Sequence, residues 1–171
     1  PVLGMSDHRI APFHLVDQNG APTTEQSWEG KIVVADFFFT HCPVVCPKMT
    51  RSLKQVQELY LDEPNLLLSS FTVDPERDSA AQLKKYAERM DLREQNWQLL
   101  TGDKKHLYWL ARNSFMITAT DGDGGPDDFI HSELLILIDP ERRIRGYYNG
   151  TIQKEVDQLL IDIKRLKKEL K

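Results

Sequence analysis

The stretch Lys31–Pro47, KIVVADFFFTHCPVVCP, decides the fold. Its first nine residues are β-branched and aromatic almost without alternation, the pattern of a strand buried on both faces, as in a parallel sheet covered by helices. Thr40–Pro47 breaks the run. Beyond it Met49, Leu53, Val56 and Tyr60 recur at helical spacing, and Pro47 suits the first helical position, where a missing N–H costs nothing. The unit is therefore strand, cysteine loop, helix.

Working outward, Phe13–Val16 followed by Asp17-Gln18-Asn19-Gly20 reads as a strand-and-turn lead-in. Leu66–Val73 is a second apolar strand, followed by the polar turn Asp74–Asp78 and a helix burying Leu83, Tyr86, Ala87 and Met90. A short strand at Trp97–Leu100 leads to a helix carrying Leu107, Leu110, Ala111 and Phe115 inward. The Gly/Asp-rich stretch Thr118–Asp128 is a loop. Phe129–Ile138 and Arg142–Tyr148 are strands of a hairpin, and Gln153–Leu170 is the last helix. The order β-α-β-α-β-α-β-β-α predicts one α/β domain over 1–171 with a mixed central sheet, flexible ends at 1–9 and 168–171, and a loop insertion at 118–128.

Composition narrows the function. With 171 residues, 40% hydrophobic and 28% charged, the chain is long and apolar enough for one core. A net charge of -4 argues against a general nucleic-acid binder, which needs a basic face. No apolar run is long enough to cross a bilayer. The chain begins at Pro1, so the expectation is a processed product whose signal or membrane anchor has been removed.

Two cysteines are too few for a disulfide scaffold, but Cys42 and Cys46 lie four residues apart, ahead of a helix N-terminus. There the helix dipole favours a thiolate at Cys46, the nucleophilic and metal-binding form of cysteine. The pair can close a disulfide or clamp one ion. As a staple a loop this short constrains little chain entropy, and a structural zinc site would want four ligands. Two soft sulfurs plus one imidazole suit Cu(I).

The motif Phe39–Pro47 (FTHCPVVCP) resembles the signature of the Sco (SenC) family of copper-binding proteins. Val73–Asp78 (VDPERD), Trp97–Gly102 (WQLLTG) and His131–Leu134 (HSEL) match in the same order, and the likeness runs from about residue 10 to 165. The resemblance implies a thioredoxin-like fold and a copper chaperone that serves cytochrome c oxidase assembly. It implies copper, as Cu(I) or Cu(II), held by Cys42, Cys46 and His131. It further implies a monomer outside the cytoplasmic membrane, periplasmic in a bacterium and tethered only through the missing N-terminal segment, whose partner is the copper-bearing oxidase subunit or another copper or thiol protein.

The neighbouring residues receive lesser roles. His41 is expected to face away from the ligands, toward a second layer or a partner. Asp74 and Asp78 follow the second strand at the same sheet edge as the cysteines; turn and helix capping is the plainer reading, and an acidic layer behind the ligands the functional one. Asp121–Asp128 lacks the closing glutamate of a calcium loop. The basic residues of the last helix, among them Lys164, Arg165, Lys167, Lys168 and Lys171, complement its dipole.

Asp36 keeps a second function open. It interrupts an apolar strand six positions before Cys42, on the face shared by Ile32, Val34 and Phe38. Thioredoxins often carry an aspartate at that offset as a proton acceptor. Cys42 and Cys46 would then act as catalytic thiols of a thiol-disulfide oxidoreductase, with Asp36 beneath them. Against this, three residues rather than two separate the cysteines, and Ile130-His131 stands where thioredoxins place a proline.

Overall fold

The computed structural model describes residues 7–118 and 122–170. Of the expected flexible ends at 1–9 and 168–171, residues 1–6 and Lys171 lie outside the described residues, as does 119–121 at the centre of the expected loop insertion. A small antiparallel hairpin, β1 (His14–Val16) with β2 (Pro22–Thr24), precedes the main sheet. The sheet is built from β3 (Ile32–Phe38), β4 (Leu66–Thr72), β5 (Trp97–Leu100), β6 (Leu134–Ile138) and β7 (Ile144–Asn149). Its order is β5-β4-β3-β6-β7, with β3, β4 and β5 parallel and β6 and β7 antiparallel. The helices are α1 (Val45–Leu59), α2 (Ala80–Arg89), α3 (Lys104–Trp109) and α4 (Gln153–Glu169).

The sheet divides the core because alternate residues of each strand face opposite ways. Val33, Ala35 and Phe37 of β3 join Phe13, Trp28, Phe71 and Phe115 on one side. Phe37 and Phe71 stack at 5.1 Å, and Phe115 meets each edge-on. On the other side Ile32, Val34 and Phe38 pack with Met49, Leu53 and Val56 of α1, Leu83 of α2, and Leu159 and Ile163 of α4. This is the three-layer α/β arrangement of a thioredoxin-like fold.

Several boundaries differ from the sequence expectation. The helix after the cysteines begins at Val45, so Pro47 is its third residue and Cys46 lies inside its first turn. Proline is tolerated throughout that turn because its N–H groups have no intrahelical acceptor. The helix expected to run through Phe115 is α3 followed by a π-helical turn, Leu110–Ser114. The strand expected from Phe129 begins at Leu134. Phe129 and His131 face solvent around the buried Ile130, whose N–H goes to the Tyr108 hydroxyl at 3.5 Å rather than to a neighbouring strand.

The topology fixes what can meet. β3 and β4 run in parallel, so their C-terminal ends share one edge of the sheet. β6 is antiparallel to β3, so its N-terminal end lies at that same edge. The segments Phe39–Cys46, Val73–Asp78 and Ile130–Glu133 therefore converge. The opposite edge carries the β6–β7 turn, where the Ile10 N–H donates to the Arg142 carbonyl at 2.8 Å.

Candidate metal centre

The cysteine loop is tied down from below. The Val73 N–H donates to the Phe38 carbonyl at 2.8 Å, and the Cys42 N–H to the Phe39 carbonyl at 3.3 Å. Thr40 is gripped harder. Its N–H donates to Asp78 Oδ2 at 3.1 Å and its hydroxyl to Asp78 Oδ1 at 2.5 Å, while Thr72 donates to the same carboxylate at 2.6 Å. Gln82 Nε2 and Arg89 Nη2 reach the Thr40 hydroxyl and carbonyl at 3.2 and 3.4 Å. Asp78 is fully buried, and Ser79, not Asp78, caps α2 through the Gln82 N–H. The plainer reading of Asp78 as a cap is thereby replaced: it braces the cysteine loop against β4.

Asp74 lies in the turn itself. Its N–H donates to the Thr72 hydroxyl at 2.9 Å, and its carboxylate comes within 3.8 Å of Arg77. His41 is half exposed, with Nδ1 at 3.9 Å from Asp78 Oδ1 and 3.3 Å from the Thr40 hydroxyl. β3 ends at Phe38, so the strand alternation expected to turn His41 away does not extend to it, and His41 is not among the residues lining the cavity of Cys42 and Cys46.

The two sulfurs are inequivalent. Both cysteines are free thiols; Cys42 is half-buried and Cys46 is 4% exposed. The Cys46 N–H, at the start of α1, donates to Cys42 Sγ at 3.3 Å. The helix terminus thus serves the sulfur of Cys42, and the expected stabilisation of a Cys46 thiolate is not found. Burial pushes the Cys46 thiol well above its ordinary range, and the proximity of Cys42 and Asp36 adds to the effect.

Asp36 lies on the α1 face of β3, fully buried, and its Oδ1 has no hydrogen-bond partner. Burial pushes its carboxyl up to about 7, opposed by a hydrogen bond from Ser70. A neutral acid is the cheaper state for such a group below that pH.

Cys42, Cys46 and His131 line one cavity of about 290 Å³, with Phe39, Val73 and Ile130 among its walls. Its lining is mostly apolar, which suits soft sulfur donors. Among the described residues no three His, Cys, Asp or Glu side chains lie close enough together to hold an ion. The His131 ring instead rests against Phe129, 5.0 Å between centroids, and Phe129 in turn meets Phe39 edge-on at 5.0 Å. Phe129 and Tyr108 carry no local signal in the sequence, because their roles arise from tertiary contacts.

A three-layer fold with a dithiol at the C-terminal end of its central strand and an imidazole across the cleft defines a thioredoxin-like protein equipped for thiol or soft-metal chemistry. The SCO1/SenC family model matches residues 4–168. The chain belongs to the SCO1/SenC family. It is 32% identical over 160 residues to the SCO1 protein homolog of Bacillus subtilis, covering 92% of this chain and 82% of that one. It spans only 60% of the mouse mitochondrial SCO2 homolog, to which it is 30% identical.

Solved structures agree. A SCO1/SenC family lipoprotein from Bacillus anthracis superposes with a TM-score of 0.82 at 28% identity, covering 97% of this chain and 99% of that one. BsSco, described as having a disulfide switch and as a member of a family of cytochrome c oxidase assembly proteins, gives 0.78 at 31% identity, with 95% of each chain covered. Arabidopsis thaliana ScoI with copper bound gives 0.74 at 25% identity, covering 93% and 98%. The fold assigned from the sequence is thus that of the family. No described helix is long and apolar enough to cross a membrane.

Proposed function

We propose that this chain is a copper chaperone that holds a cuprous ion through Cys42, Cys46 and His131 and passes it to a copper site of cytochrome c oxidase. The observation that carries this reading is the shared cavity: two sulfurs and one imidazole line one apolar cleft at the sheet edge. That donor set suits Cu(I), and the copper-bound plant relative supports it. Cys42 is the accessible sulfur from which transfer begins, and a receiving protein's ligands replace these donors one at a time. Cu(II) would find the same imidazole. His41 and Asp74 lie at the rim, where a docking partner meets them, and Asp78 holds the loop in place behind the ligands. The lipoprotein relative supports extracytoplasmic presentation from an N-terminal anchor, with the chain acting as a monomer.

The test is Cu(I) titration of the fully reduced chain followed by X-ray absorption, beside His131→Ala. The wild type is expected to show two sulfurs and one nitrogen, and the variant to lose the nitrogen and bind more weakly. Equal affinity and equal scattering from both would remove His131 from the ligand set.

One observation favours a second reading, a thiol-disulfide oxidoreductase: Asp36 is buried with an unpartnered oxygen, near Cys46. In that reaction the Cys42 thiolate attacks a substrate disulfide, whose S–S bond breaks to release one thiolate. The Cys46 thiol then loses its proton to Asp36 and attacks Cys42 Sγ, releasing the second thiolate and leaving Cys42 and Cys46 as a disulfide. The substrate gains the two electrons that the dithiol loses. Insulin reduction by wild type, slowed in Asp36→Asn, is the expected result; no turnover by wild type would end this reading.

A further inference from the structure

We propose that the outward face of α1, which carries Lys48 and Arg51 beside the cysteine loop, is a landing site for an acidic protein surface surrounding a partner's own thiols. The inference rests on the copper reading above and deepens it by giving the charge of the partner that exchanges metal with Cys42.

The first observation is a charge pattern that works against the fold. A helix N-terminus favours acidic side chains and a C-terminus basic ones. α4 obeys, with Glu155 in its first turn and Lys167 and Lys168 in its last. α1 is reversed: its first turn holds no acid and its last no base. Lys48 and Arg51 occupy its first two turns, and Glu58 is its penultimate residue. A local rule broken at the edge of a site points to a task there.

The second observation is that these cations are left open. Both are exposed, and among the described residues neither enters an ion pair. Lys54, the next cation along the helix, is by contrast tied to the Met90 carbonyl at 3.0 Å. Val44, Lys48 and Arg51 follow at helical spacing and share one face, turned away from the buried Met49, Leu53 and Val56. Val44 is 55% exposed and lies between the two cysteines in the chain.

An apolar residue flanked by two cations thus adjoins the accessible sulfur. The acids of the cleft lie on its other walls: Asp74 within 3.8 Å of Arg77, and Glu133 with Oε2 on Asn149 Nδ2 at 3.1 Å. The chain as a whole carries a net charge of -4 and repels an acidic partner. A basic edge at α1 therefore decides where such a partner can approach, and it steers that approach to Cys42.

The test uses cysteine peptides flanked by glutamates or by lysines, with the reduced chain and the double variant Lys48→Glu, Arg51→Glu. In the first arm each peptide cysteine is a mixed disulfide with nitrothiobenzoate. The Cys42 thiolate attacks the peptide sulfur, that S–S bond breaks, nitrothiobenzoate leaves with the electron pair, and Cys42 is joined to the peptide. At low salt the wild type should react at least about fivefold faster with the glutamate peptide; the gap should close near about 0.5 M salt, and the variant should reverse it. In the second arm dithiol versions of the peptides take Cu(I) from the loaded protein. The ion keeps its oxidation state and trades two thiolates for two others, and the protons the peptide releases are balanced by those Cys42 and Cys46 take up. The same order of rates is expected. Cu(I) affinity of the variant should stay within about twofold of wild type, and its Tm should rise by about 1–4 °C.

Equal rates with both peptides, or no reversal in the variant, would overturn the landing site. A larger loss of affinity would make the cations part of the metal site, and a lower Tm would make them stabilising residues; either result also overturns it. So would binding to phosphatidylglycerol vesicles that the variant loses, which would assign the face to a membrane. Selective disulfide exchange without Cu(I) transfer to either peptide would instead sink the copper reading and leave the landing site standing, so the two failures are distinguishable.

Discussion

Asp78 holds Thr40 by two bonds at once, taking its backbone N–H on one carboxylate oxygen and its hydroxyl on the other. Since Thr40 begins the cysteine loop and Thr72 ends β4, one buried side chain sets the distance between the two segments. Asp78→Ala leaves these three donors buried without an acceptor, at a cost of about 2–4 kcal/mol. It should also weaken Cu(I) binding by at least about tenfold, as loss of an orienting partner does at metal sites. Urea unfolding and competitive copper titration check the two effects, and retention of both by the variant would show that the loop stands without its brace.

The carboxyl of Asp36 gives the protein a pH signature. Its folded-state value, pushed up by burial to about 7, lies above that of an unfolded aspartate. The neutral form is therefore preferred in the fold, and the stability it allows is full below about pH 4 and is lost as pH rises through 7. Asp36→Asn does not ionise. Its unfolding free energy relative to wild type should improve across that window by up to about 4 kcal/mol, read from urea melts at pH 4.5, 6 and 7.5. A difference that stays flat with pH would show that Asp36 does not titrate there.

The two thiols should react at different rates. Cys42 is accessible, whereas Cys46 is buried and its thiol is held protonated. Iodoacetamide at pH 8 should modify Cys42 at least about tenfold faster, because the thiolate is the reactive species. Mass spectrometry of Cys42→Ser and Cys46→Ser under the same conditions separates the sites; equal rates would mean that the first turn of α1 opens in solution.

Tyr108→Phe keeps the ring and removes the hydroxyl that joins Val73 to Ile130. The expected loss is about 1–2 kcal/mol of stability, with the Ile130 amide exchanging faster than in wild type. Thermal melts and hydrogen exchange provide the check, and wild-type protection of Ile130 in the variant would rule out the hydroxyl as its anchor.

How much of this was legible in the sequence depended on whether the information was local. The unbroken apolar run of β3 announced burial on both faces, and the structure has all of Ile32–Phe38 buried. The face shared by Ile32, Val34, Asp36 and Phe38 followed from alternation alone. The start of β6 could not be read, because Phe129-Ile130 has strand composition while its backbone bonds go to a helix side chain. Asp78 next to Ser79 looks like a cap in sequence; its true partners, Thr40 and Thr72, are set by strand pairing. The Cys46 thiol was misjudged for a similar reason, since helix position is visible locally and burial is not.

The antiparallel pairing of β3 with β6, Val33 opposite Ile138, has a consequence for how the protein is made. The cysteines are four residues apart and can meet through a local turn of the chain, whereas His131 joins them only after a long loop has closed. During synthesis and folding, oxidation of the pair can therefore outrun assembly of the site. A newly made molecule competes with its own disulfide, and a supply of reductant during folding decides what fraction of molecules emerges ready to take up metal.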